Sequence, residues 1–228
     1  MTLEFDPTAD FGQVVDGTET ITFHRRTDAP DSPGVKVAGA LRRPITTREA
    51  KARNRNHTPK AIASDGRYTA ADVRWHLPAD ALAEPPHPGD AIVDAGGRRW
   101  TILEVEQAVL GGRWCCAARD VAIAEGLHDT IRVLKATYTK GDGGAAEATW
   151  TPWLTGLRSR IQPGPVETDP QHGSRATSRR FLIFVEEDLA LDHTHRIEDA
   201  EGTQYRILGT LGAERIGELQ QIDVEALG

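Results

Sequence analysis

Residues 90–105 and 195–210 are two versions of one pattern, and this repeat constrains the fold more than any other feature of the chain. Asp90-Ala-Ile-Val-Asp-Ala-Gly-Gly-Arg-Arg-Trp-Thr-Ile-Leu-Glu-Val105 lies over His195-Arg-Ile-Glu-Asp-Ala-Glu-Gly-Thr-Gln-Tyr-Arg-Ile-Leu-Gly-Thr210. In this alignment Ile92 meets Ile197, Asp94 meets Asp199, Gly97 meets Gly202 and Trp100 meets Tyr205. The pattern is that of a β-hairpin. Asp bonds the backbone of its own turn, Gly accepts a positive φ, and an aromatic residue opens the returning strand. Asp94, Gly97, Asp199 and Gly202 are therefore expected to be structural turn residues.

The likeness extends outward from both hairpins. Arg113–Val121 and Gly217–Val224 each follow as a further strand, and the run up to Leu77 corresponds to Arg179–Val185. Thr18–His24 and Ile131–Tyr138 alternate polar and apolar residues with period two, as half-buried strands do. A tandem duplication explains this better than two unrelated hairpins. It divides the chain into a first copy, 1–127, and a second, 128–228. Short strands with Gly- and Pro-rich turns predict an all-β fold of two small barrels or sandwiches with long inter-strand loops and little helix. The best helix candidate, Thr46–Arg53, has no apolar stripe and belongs on a surface.

The 228 residues carry a net charge of −7, which argues against a protein coated in nucleic acid. No apolar run approaches the ~20 residues of a membrane-spanning helix. The N-terminus lacks the basic and apolar regions of a secretion signal. The two cysteines, Cys115 and Cys116, are neighbours. In a strand they face opposite sides, so a reduced, intracellular setting is expected and a zinc site is not.

Charge is unevenly placed. Between Arg42 and Lys60 stand Arg42, Arg43, Arg48, Lys51, Arg53, Arg55 and Lys60 against a single acid, Glu49. The rest of the chain is correspondingly acidic. These residues fall in a stretch, 28–65, that is read as a loop longer than structureless loops usually are. Three readings fit: a solvated loop, a contact with acidic flanks of identical neighbours, or a contact with DNA phosphates. The second copy has a corresponding loop, 140–178, with Trp150 and Trp153 around Pro152. These two aromatics either anchor the loop to its own barrel or form an interface with a neighbour.

Catalytic motifs are missing: there is no GxSxG elbow, HExxH, Walker A or dinucleotide fingerprint. His193 and His195 would share one face of a strand, but a polar loop before a hairpin commonly holds exposed imidazoles. Cys115 and Cys116 read as small packing residues, with no nearby base in sequence. Neither an enzyme nor a cofactor is expected.

The hairpins, Asp94-Ala-Gly-Gly97 before Trp100 and Asp199-Ala-Glu-Gly202 before Tyr205, resemble that of tailed-phage head-completion proteins, also called head-tail joining, head-closure or stopper proteins. The resemblance implies a small β-barrel and a structural role in the virion neck. Such proteins form a ring beneath the portal and its adaptor, help retain DNA and present the surface for tail attachment. It also implies a homo-oligomeric ring of about six or twelve subunits, made in the host cytoplasm, with portal or adaptor proteins above, tail proteins below and no membrane. The long loop of the family faces the channel or the next ring, which would give Arg42–Lys60 a place to act. This chain departs from the family in carrying two copies rather than one. A minor tail or tail-terminator protein is the neighbouring alternative. A soluble ligand- or carbohydrate-binding β-module, with Trp100, Trp114 and Tyr205 as its platform, is the alternative of another class.

Overall fold

The computed structural model describes residues 16–45, 72–108, 110–140, 146–164 and 179–227. They form two compact units, divided between Ala124 and Glu125. Each unit is an antiparallel six-stranded closed barrel.

The first barrel contains β1 (Thr18–His24), β2 (Val35–Pro44), β3 (Asp72–Pro78), β4 (Ala91–Val93), β5 (Arg99–Gln107) and β6 (Arg113–Arg119). Their order around the barrel is β1-β2-β3-β6-β5-β4, and β4 pairs with β1 to close it. A one-turn helix, α1 (Val121–Ala124), follows. The second barrel contains β7 (Asp129–Lys140), β8 (Ala146–Pro163), β9 (Arg180–Val185), β10 (His195–Asp199), β11 (Gln204–Leu211) and β12 (Gln220–Ala226). It repeats the same order, β7-β8-β9-β12-β11-β10, and closes through β10 and β7. Closure leaves neither barrel sheet with a free edge strand, which is how small antiparallel sheets avoid edge-to-edge association.

The two hairpins share one register. Ile92 faces Trp100 across β4 and β5, and Ile197 faces Tyr205 across β10 and β11. Each second strand also bends at a bulge glycine with positive φ, Gly39 (+73°) in β2 and Gly156 (+75°) in β8. Bulges of this kind let a strand curl enough to close a narrow barrel.

Two expected loops are in part strands. The 28–65 stretch contains β2, which places Arg42 and Arg43 on a strand rather than in a loop. The 140–178 stretch contains the whole of the 18-residue β8, including Trp150 and Trp153. The reason is local. The inward positions of β2 are filled by Val37 and Ala40 around a bulge, so the apolar alternation is broken. In β8 the first half alternates Ala with Thr and Glu, a weak strand signal. The helix candidate Thr46–Arg53 lies outside the described residues.

The cores differ in their filling. The first cluster packs Ile21, Phe23, Trp75, Leu77, Ile92, Trp100 and Ile102 against the small Cys116 and Ala118. The second packs Ile131, Val133, Leu157, Ile183, Ile197, Tyr205, Ile222 and Val224. Burying each such side chain contributes about 1.5–3 kcal/mol. Among the described residues, no helix is long and apolar enough to cross a membrane.

Candidate functional site

The hairpin turns hold the expected residues, and the two Asp side chains do matching work. Asp94 Oδ1 accepts from the N–H groups of Gly96 (3.0 Å) and Arg98 (2.9 Å), while Oδ2 accepts from the indole N–H of Trp100 (3.1 Å). Asp199 Oδ1 accepts from Glu201 N–H (3.0 Å) and Thr203 N–H (2.8 Å), while Oδ2 accepts from the Tyr205 hydroxyl (2.8 Å). One carboxylate thus ties its turn to the aromatic residue six positions on. Gly97 and Gly202 sit at φ +80° and +87°, where a Cβ is strained.

Burial opposes ionisation of Asp94. The bonds from Arg98 N–H and Trp100, the Arg42 charge and the Gly96 N–H outweigh it and hold the carboxyl below its ordinary range. On Tyr205, burial together with the Asp199 hydrogen bond and charge pushes the phenol up to about 12.

Arg42 is committed to this rim. Its guanidinium donates to Asp94 at 2.8 Å and lies over Trp75 (5.7 Å) and Trp100 (5.5 Å). The expectation that it lies in a loop is therefore corrected: Arg42 is an ion-paired cation on β2. Arg43 is exposed and stands opposite Arg74 on β3. Arg48, Lys51, Arg53, Arg55 and Lys60 lie outside the described residues.

The first barrel binds further acids in the same way. Asp72 takes a two-pronged bond from Arg119 (2.8 and 3.0 Å), Asp120 pairs with Arg98 (2.9 Å), and Asp90 pairs with Arg25 (3.0 Å). The carboxyl groups are buried and the arginines are partly exposed, so these pairs order strand ends and connecting turns.

Trp150 and Trp153 are placed differently. Trp153 packs against the second core, beneath Lys135 (5.7 Å) and beside His195 (5.1 Å). Trp150 lies outside the core, with the Arg196 guanidinium 4.0 Å from its ring centre. His195 is buried, and its Nδ1 is 2.8 Å from Asp192 Oδ1. The side-chain and backbone donors of Thr194 are the main reason the Asp192 carboxyl falls to about 2, with His195 adding to them. Among the described residues, no group of three or more His, Cys, Asp or Glu could hold a metal.

The cysteines pack on opposite faces of β6 as expected, but a histidine contact and a set of exposed apolar side chains went unread in the sequence. Cys116 is buried in the first core, which pushes its thiol well above the ordinary range. Cys115 points to the other face, with Sγ 3.2 Å from His76 Nδ1 on the neighbouring strand. Strand pairing, not sequence proximity, brings this imidazole to the thiol. The exposed apolar side chains are Val35, Leu110 and Ile123 in the first unit and Tyr138, Leu208, Leu211 and Ile216 in the second. By contrast, the carbohydrate platform is not formed, because Trp100 and Tyr205 are only 3% and 4% exposed.

No protein-family model matches the chain, and a search of curated proteins finds no match.

Proposed function

We propose that the chain is a structural protein of the tailed-phage neck, a subunit of a homo-oligomeric ring that closes the head, helps retain DNA and offers the tail its attachment surface. The observation that carries this reading is the pair of closed barrels, each pinned by an Asp-x-x-Gly-x-x-aromatic hairpin, the pattern that resembles head-completion proteins. The charge asymmetry supports it as well. A strongly basic segment and an acidic remainder in one chain suit head-to-tail contact between identical subunits. The mechanism is mechanical. Barrel walls pack side by side as the ring closes, and the segment from Arg48 to Lys60 compensates charge on DNA or on acidic neighbours. The role requires no catalysis, metal or cofactor.

The test is the copy number of the chain in purified particles, measured by quantitative mass spectrometry against the major shell protein. About six or twelve copies per particle are expected, as a closed ring requires. Hundreds of copies would move the protein to the tail tube or shell, and absence from particles would refute the reading.

A further inference from the structure

The β7–β8 hairpin runs past the barrel. Ladder pairing continues from Ala136↔Trp150 through Tyr138↔Ala148 to Lys140↔Ala146. Among the described residues, β10 pairs with β7 only as far as Lys135, and β9 pairs with β8 only from Ser159 onward. The end of the hairpin is therefore a two-stranded arm. Two-stranded ribbons are marginal in water without a surface to cover them.

The arm has two unlike faces, because directly opposed residues share a face and the pattern alternates. One face carries Ala136, Tyr138, Ala146, Ala148 and Trp150, with Lys140 at its tip. The other carries Thr137, Thr139, Thr149 and Glu147. Such patterning is that of a strand pair with one buried side, yet Tyr138 is 53% exposed. The apolar face is bordered by cations, Lys140 at the tip and Arg196 stacked on Trp150 at the root.

A surface of matching chemistry lies on the same barrel. The connection between β11 and β12 overhangs the outer wall at Phe184 and Gln221, leaving a groove of about 390 Å³. Its apolar lining comes from Phe184, Leu211 and Leu219, and Glu125, Glu214 and Glu218 stand along it. The one lining cation, Arg160, is occupied by the Glu125 carbonyl (2.6 Å) and the Phe184 ring (4.8 Å). No arm residue lines the groove, so a copy does not fill its own.

We propose that the arm of one copy docks its Tyr138–Trp150 face into the Leu211 groove of a second copy, with Lys140 meeting the groove's glutamates. The occupant is argued from charge complementarity and from the apolar match of two surfaces on one chain. Arm into groove is a head-to-tail contact, which repeats around a ring or along a filament. The inference rests on the ring reading above and names the contact that would build it.

The experiment uses two full-length variants, Tyr138→Asp to disable the arm and Leu211→Asp to disable the groove. Both sites are exposed, at 53% and 62%, so each variant should keep the wild-type circular dichroism spectrum and unfolding midpoint. Sedimentation velocity is expected to show self-association of the wild-type chain, weakened roughly tenfold or more in either variant alone. Mixing the variants should restore a one-to-one complex that grows no further, since one intact arm still meets one intact groove. Loss with Tyr138→Asp alone, with no effect of Leu211→Asp and no rescue on mixing, would overturn the groove as the partner surface. Association unchanged in both variants would overturn the contact and leave the ring reading standing. A wild-type chain that remains monomeric would overturn both.

Discussion

The two barrels share a frame and fill it differently. At one position in the first barrel, Trp75 on β3 stands opposite Cys116 on β6. The second barrel has Ile183 on β9 opposite Ile222 on β12. Large with small in one copy has become medium with medium in the other, and a similar exchange sets Trp100 and Ala118 against Tyr205 and Val224. The edge-on aromatic contact survives with other partners: Trp75 with Trp100 at 6.4 Å, Phe181 with Tyr205 at 5.6 Å. On the rim, Arg42 occupies the position that Ile161 takes in the second barrel, each opposite the β3 or β9 residue just named. The lesson is that strand order and hairpin chemistry are the rigid part of this fold, while core volume is conserved in total rather than site by site.

The largest expected effect breaks that exchange. Trp75→Ala leaves a cavity in a core that cannot collapse around it and should cost the first barrel about 3–5 kcal/mol. Cys116→Ile, alone, overpacks the same site at a cost of about 1–3 kcal/mol. The double change Trp75→Ile with Cys116→Ile installs the second barrel's filling and should be less damaging than the sum of its parts. Urea unfolding of Trp75→Ile, Cys116→Ile and the double variant measures the coupling. Strict additivity would show that the two positions do not share volume.

A somewhat smaller effect separates the two hairpin carboxylates. Asp94→Ala strands two turn N–H groups, the Trp100 indole N–H and Arg42, and should cost about 3 kcal/mol. Asp199→Ala strands no arginine, and about 2 kcal/mol is expected. The Asp94 site also carries a pH response. Because the folded-state pKa of Asp94 is depressed, its contribution is present above the ordinary carboxylate range and fades as acid carries the pH through the lowered value. Asp94→Asn should flatten that acid limb in an unfolding series.

Tyr205 gives the opposite sign at the other end of the scale. A phenol pushed up to about 12 from an ordinary 10 stabilises the second barrel fully below pH 10 and loses that contribution as the pH rises toward 12. Tyr205→Phe should remove the alkaline slope and cost about 1 kcal/mol at neutral pH. The first barrel has Trp100 at this position, which does not titrate, so it serves as the internal reference. An alkaline limb unchanged by Tyr205→Phe would mean that the Asp199 bond does not shape it.

How much of this was legible in the sequence depends on the range of the contacts. The hairpins were, because Asp94 with Gly97 and Asp199 with Gly202 act within a few residues of themselves. The expectation of two similar all-β units followed from them. Strand β2 was hidden because a bulge and small inward residues interrupt its period. Strand β8 was hidden because half of it belongs to an arm whose apolar face is built largely of alanine. Arg42 read as one cation among seven, since only barrel closure carries Asp94 to it from 52 residues away. The same holds for Cys115 and His76, which are 39 residues apart and are joined by the pairing of β3 with β6.

The smallest effect on stability is expected where the proposed role predicts a large one on assembly. Replacing Arg48, Lys51, Arg53 and Arg55 together by Gln removes four of the seven cations between Arg42 and Lys60. Arg42 is left in place because it holds Asp94. Charges that act outside the fold contribute about 0–1 kcal/mol to it, so the unfolding midpoint of the first barrel should scarcely move. Ring formation and DNA retention in particles should instead fall, and the loss should deepen with salt, because the remaining attraction is screened. A variant that unfolds without an assembly defect would make the segment part of the barrel's own structure. The charge asymmetry between this segment and the rest of the chain would then be a property of the fold alone, with no bearing on partners.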